Sequence, residues 1–261
     1  MYIDFSFQHL RTLMIWLATA FTVATFASAQ QTQRKQAEVT IRRSIQAMGG
    51  DAWTMYGAAT TRVTETGSML PTAQSTWSDD WTRPGVRSRR EIQLDGGSSM
   101  VEVSGDGFHH VKTPAQSRPL PAEFDLERLL LPYPEVVLRA ALSRPDCSFR
   151  VLEDTRSVPS DEVGDVEMTC KTPTSANGQK RVVWRFSPDG LPVRVRVFAA
   201  NPQLSTQRFK TIEYNGFEVV QGLTVPASVD VINGAKRRHF GFSSQAFVAS
   251  LPSSQFPTEQ N

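Results

Sequence analysis

Long stretches of the chain alternate apolar and polar residues with period two, and turn residues cut them at short intervals. Antiparallel strands joined by tight turns satisfy this pattern; helices do not. Between Ala59 and Lys112, segments 61–66, 75–82, 86–94, 99–104 and 108–112 are separated by Pro71, Pro84-Gly85, Asp95-Gly96-Gly97 and Gly105-Asp106-Gly107. Val101 and Val103 face away from Glu102, and Arg87, Arg89 and Glu91 face away from Ile92 and Leu94. One face of this meander is therefore wet and the other is packed.

The same alternation returns between Cys147 and Phe247. In segment 191–198, Val193, Val195 and Val197 alternate with Arg194 and Arg196, and the turn Ser187-Pro188-Asp189-Gly190 joins it to segment 181–186. Segments 206–214, 224–232 and 236–242 complete the series, with Val225, Ala227, Val229 and Val231 on one face and Asn233-Gly234 as a hairpin signal. The pattern predicts ten or eleven strands.

Two regions break the alternation. After Gln30, Ala37, Ile41, Ile45 and Met48 recur at helical spacing until Gly49-Gly50 stops them, which predicts one leading amphipathic helix. Region 119–145 carries two short helical signals. One places Leu126, Leu129 and Leu130 on one side before Pro132; the other opens at Pro134-Glu135 and runs through Val137, Leu138, Ala141 and Leu142. This insertion is the most apolar part of the chain beyond its leader, so it must cover a hydrophobic surface.

The first 29 residues read as a secretory signal peptide: a polar leader to Arg11, an apolar run over 12–26 and the small-x-small site Ala27-Ser28-Ala29. The expectation is an exported, periplasmic protein cleaved after Ala29. No cysteine follows that site to be acylated. The remaining 232 of 261 residues form one domain, because no linker divides them. An oxidising compartment favours pairing of the two cysteines, Cys147 and Cys170, as a disulfide. With 28 basic and 26 acidic residues spread along the strands, nothing calls for nucleic acid.

Catalytic and metal chemistry find little support. His109-His110 and Asp79-Asp80 are adjacent on strands and point to opposite faces. His239 has Arg237 and Arg238 as neighbours, a poor setting for a metal ligand, and Ser104-Gly105-Asp106-Gly107 lacks the lysine and helix of a phosphate loop. No G-x-S-x-G elbow occurs. A non-enzymatic chain with no metal and no cofactor is expected. The aromatics are more informative, since Trp77 and Trp81, Trp184 and Phe186, and Phe240 and Phe242 each share strand parity. They form either an ordinary core or the wall of an apolar cavity.

The order of Met48-Gly49-Gly50 after a helix, the long meander, Trp81-Thr82-Arg83-Pro84, the helical insertion, Pro188-Asp189-Gly190-Leu191-Pro192, Gly222-Leu223-Thr224-Val225-Pro226 and the late Phe256-Pro257 resembles exported proteins of the LolA/LolB-like lipoprotein-carrier superfamily. The resemblance covers nearly all of the chain after the leader. It implies an α+β fold: a single, strongly curved, unclosed antiparallel sheet with helices on its concave face and an apolar space between them for acyl chains. Trp77, Trp81, Leu126, Leu130, Val137 and Trp184, chosen by apolarity and parity and not from a matched family site, are candidate ligand-lining residues. The expected partner is a lipid or an acylated protein, with an envelope membrane protein as a further possibility and a monomer as the working form. The competing expectation is a cell-envelope interaction module with a filled core, using arginine-rich strand faces to meet an acidic partner or lipid headgroups.

Overall fold

The computed structural model describes residues 31–67, 70–82, 87–93, 98–105, 108–112, 117–119, 129–153, 164–171, 179–198 and 209–256. The leader and its cleavage site lie outside these residues, as do Leu126 and most of the first helical signal of the insertion.

Thirteen strands form one antiparallel sheet made of two meanders. The first runs outward from β1 (Ala58–Gly67) through β2 (Leu70–Asp80), β3 (Arg87–Gln93), β4 (Ser99–Gly105) and β5 (Phe108–Lys112) to the edge strand β6 (Ser117–Pro119). The second starts at the other edge, β7 (Cys147–Val151), and runs inward through β8 (Val166–Lys171), β9 (Gln179–Phe186), β10 (Pro192–Phe198), β11 (Phe209–Tyr214), β14 (Ser228–Asn233) and β15 (Lys236–Val248). The two wings join where β1 pairs with β15, Ala59 opposite Phe247 and Val63 opposite Phe242.

The sheet stays unclosed, because β6 and β7 are its opposite edges. They are also consecutive in the chain, so the segment between them has to cross from one edge to the other. That segment carries the second helical signal as helix α2 (Pro134–Ser143), preceded by a short helical turn at Leu129 and Leu130. The leading helix α1 spans 31–47. Ile41 and Met48 of the leading segment, Val137 and Leu138 of α2, and Val63, Val195, Ile212 and Phe240 of the sheet belong to one buried cluster.

The strand count exceeds the expected ten or eleven through the short edge strand β6, which lies in none of the expected segments, and through an inserted hairpin. Segment 224–232 is not one strand but two, β13 (Leu223–Pro226) and β14. Pro226 has no N–H to continue a ladder, and the Ala227 N–H turns away to Gly216 O at 3.1 Å. β13 instead pairs with β12 (Phe217–Val220) as a separate hairpin. That hairpin receives the end of α1: the Thr224 N–H donates to Met48 O at 3.0 Å. At Gly49, φ is 121°, and a Cβ would come within 3.3 Å of the Leu223 Cα.

Parity also changes inside β15. Phe240 and Phe242 are buried, then Ser244 adopts a φ of 51° and the register against β1 shifts between Thr60 and Arg62. Beyond this bulge Gln245 and Phe247 are the buried residues. The bulge thus keeps the core side apolar over a 13-residue strand.

Cys147 and Cys170 are bonded, directly opposite each other between β7 and β8. The disulfide ties the edge strand to the sheet, as the sequence led one to expect.

Candidate functional site

The concave face of the first wing holds a buried polar group. Asp79 on β2 is wholly buried and receives the Arg90 Nη1 at 2.9 Å and the Ser88 Oγ at 2.5 Å. The Arg90 guanidinium also lies over the Trp77 ring, 4.3 Å from its centroid. Its neighbour Asp80 points to the opposite face, where it binds Arg87 Nη2 at 2.9 Å and the Thr82 hydroxyl at 2.5 Å. Burial pushes the Asp80 carboxyl up, but the Thr82 and Arg87 hydrogen bonds outweigh it and hold the group below the ordinary aspartate range. Phe256, the aromatic of the late Phe-Pro pair, is buried beneath Arg87, 4.8 Å from its guanidinium carbon.

Two tyrosine hydroxyls fasten the insertion across this face. Tyr133, just before α2, meets the Thr61 hydroxyl of β1 at 2.5 Å, and its ring packs on Trp81 and Phe247. Tyr214 of β11 donates to the Leu130 carbonyl at 2.6 Å. Burial raises the pKa of both hydroxyls above that of an ordinary tyrosine, with the Asp79 charge adding to the effect at Tyr133, so both remain protonated. α2 is held separately: buried Glu135 pairs with Arg139, which also donates to Gly50 O.

Beside this plug lies a cavity of about 420 Å³, within the roughly 300–1,000 Å³ usual for small-molecule sites. Trp77, Ile92, Ile212, Val231 and Phe240 supply apolar wall, and Leu131 of the insertion closes one side. Arg90 and Glu102 belong to the inner end. Glu65, Lys210, Lys236 and Arg238 surround the outer end. From Ala73 to Trp77 along β2 the wall runs about 13 Å, at roughly 3.3 Å per residue.

Of the six residues expected from sequence to line a ligand site, Trp77 lies in this wall. Leu130, Val137 and Trp184 are wholly buried in the core cluster, Trp184 stacked on Phe186. Trp81 lies just past the end of β2 and packs on Trp53 and Tyr133, with its indole N–H on Tyr56 O at 3.2 Å. Leu126 is outside the described residues. His109 and His110 are successive residues of β5, opposite Ser104 and Val103. Sequence reasoning missed Arg90, Lys210, Lys236 and Arg238 as wall residues. The signal for Arg90 was its parity with Ile92, two positions on.

This fold has counterparts among solved structures. A DUF1329 family protein from Desulfovibrio piger matches with a TM-score of 0.56 at 12% identity, over 86% of this chain and 97% of that one. A LolA superfamily protein from Nitrosomonas europaea matches with a TM-score of 0.50 at 11% identity, over 85% and 98%. The chain has the LolA-like fold. Sequence comparison by itself finds no match, either among family models or among curated proteins.

The LolA-like fold explains why the sequence motifs fall where they do. Gly49 permits the close approach of α1 to β13, and Gly190, with φ at 91°, lets the β9–β10 turn meet Arg43 O, 3.3 Å from where a Cβ would sit. Pro226 ends the inserted hairpin, and Phe256 closes the back of the first wing. In this chain these are packing positions, and the cavity wall lies apart from them.

Proposed function

We propose that this chain is a periplasmic, non-enzymatic carrier or binder that takes a lipid, or the acyl chain of a lipidated partner, into the cavity between the curved sheet and the insertion. The observation that carries the reading is the 420 Å³ space bounded by Trp77, Phe240, Ile212 and Leu131 on the concave face. Apolar burial supplies the affinity, at about 0.8 kcal/mol per methylene removed from water. Leu131 belongs to the crossing segment that Tyr133 and Tyr214 fasten, so a firmer hold on that segment slows exchange of the chain. Trp77 is the expected contact for the chain, and Leu130, Val137 and Trp184 belong to the same core cluster as Trp77, with Trp81 packed against it.

The arginine-rich faces favour this reading over an acidic-partner module. Arg150 and Arg181 are paired with Glu167, Arg185 and Arg194 with Asp165, and Arg237 with Asp230, so much of that charge is satisfied within the sheet.

The test is native mass spectrometry of the protein purified from its own periplasm without detergent, followed by solvent extraction. A stoichiometric lipid or acylated peptide is the expected result. An apo mass together with no uptake of a fluorescent fatty acid contradicts the proposal.

A further inference from the structure

We infer that the cavity takes a single-chain anionic amphiphile, its tail against Trp77 and Phe240 and its carboxylate or phosphate headgroup on a rim formed by Lys210, Lys236 and Arg238. The inference rests on the carrier reading above and specifies the ligand's chemistry and orientation.

The two ends of the cavity differ. At the inner end Trp77 and Arg90 are 8% and 4% exposed, and the Arg90 guanidinium is already engaged by Asp79 and the Trp77 ring. A headgroup placed there would have to compete with a buried ion pair. Among the described residues lining the cavity, the outer end carries Lys210, Lys236 and Arg238 together with Glu65, which pairs with Arg238 at 2.7 Å. Register brings this rim together. Asn233 is opposite Lys236 across β14 and β15, and Thr211 is opposite Ile232, so Lys210 falls one step further, beside Asn233. Residues directly opposite share a face, which places Lys210, Asn233 and Lys236 side by side on three adjacent strands above the apolar wall. Lys236 and Arg238 are exposed and Lys210 half-buried, while in the wall Trp77, Ile212 and Phe240 are buried and Val231, Ile92 and Leu131 half-buried. An acidic group at the rim gains this positive field and keeps its contact with water; the tail gains burial. The modest volume suits one chain better than several.

The experiment is displacement of the neutral fluorescent probe N-phenyl-1-naphthylamine from the mature protein at low salt by dodecanoate, dodecyl phosphate, 1-dodecanol and inorganic phosphate. Dodecanoate and dodecyl phosphate are expected to displace the probe at concentrations about tenfold below dodecanol. That preference should shrink in ~0.5 M salt. Lys210→Glu/Lys236→Glu should abolish it while dodecanol still displaces the probe, and Lys236→Glu alone, at an exposed position, should reduce it in the same direction. Equal displacement by acid and alcohol, or a preference that survives both variants, overturns the inference while leaving the carrier reading intact. Displacement by inorganic phosphate as strong as by dodecyl phosphate would make the rim a free-anion site and also overturns it. If the probe is not taken up and no amphiphile binds, the carrier reading fails and takes the inference with it.

Discussion

Tyr214 reaches from β11 across the concave face to donate its hydroxyl to the backbone carbonyl of Leu130, 2.6 Å away. One side chain of the second wing thereby holds the segment whose next residue, Leu131, walls the cavity. Replacing Tyr214 by Phe leaves a buried carbonyl without its partner, a loss of about 1–3 kcal/mol. Chemical denaturation should show that loss. Stopped-flow release of a bound fluorescent fatty acid should be faster than in the parent protein, because the strap is less firmly held.

The pair Asp79–Arg90 is buried on both sides, with side-chain exposures of 0% and 5%. Removing one partner strands the other charge, so Arg90→Met should cost about 3–5 kcal/mol. Adding Asp79→Leu to Arg90→Met should recover most of it. A double-mutant cycle read by urea unfolding measures the coupling directly; additive losses would contradict the pairing.

The bond between Cys147 and Cys170 closes a loop at a sequence separation of 23. Loop-closure entropy predicts that Cys147→Ser/Cys170→Ser loses about 3 kcal/mol of stability. Because the bond fastens edge strand β7 to β8, hydrogen exchange should rise first on those two strands and leave β1 and β15 protected.

Acid should unfold the protein in a narrow window. At Glu167 burial raises the carboxyl, but hydrogen bonds from Arg150 and Arg181 outweigh it; at Asp230 those from Arg237, His239 and Asn215 do the same. With Asp80, three carboxylates thus sit below their ordinary values of 3.8 for aspartate and 4.5 for glutamate. A carboxylate lowered by folding stabilises the native state fully above its unfolded value, and that contribution disappears as pH falls through the folded value. Asp165 runs the other way: burial raises it despite Arg185 and Arg194, so its protonation favours the folded state as pH drops. Three outweigh one. The melting temperature should be level from neutral pH down to about 5 and fall below about 4. Glu167→Gln should flatten that acid limb.

Much of the fold was legible because its signals are local. The hairpin turns at Gly190 and Asn233-Gly234, the alternation of Val193 to Val197, the glycine stop after Met48 and the proline start of α2 each act within a few residues. What was hidden depends on distant partners. Pairing of β1 with β15 joins residues about 180 apart in the chain, and no local pattern encodes it. The bulge at Ser244 reverses the parity that Phe240 and Phe242 suggest, and Pro226 breaks what reads as one continuous strand. The site was partly legible: aromatic parity led to Trp77 and Phe240. Arg90 was not singled out, because a charged residue in an alternating strand reads as solvent-facing until its cross-strand neighbours, Trp77 and Glu102, are known.

The claim that an acyl chain lies in the concave cavity against Trp77 is tested most directly by contact quenching with a brominated fatty acid. Tryptophan emission should fall as 9,10-dibromostearate binds the parent protein, and most of that fall should be absent from Trp77→Phe while the fatty acid still binds. Quenching that is undiminished in Trp77→Phe would place the chain elsewhere, and contradict the account.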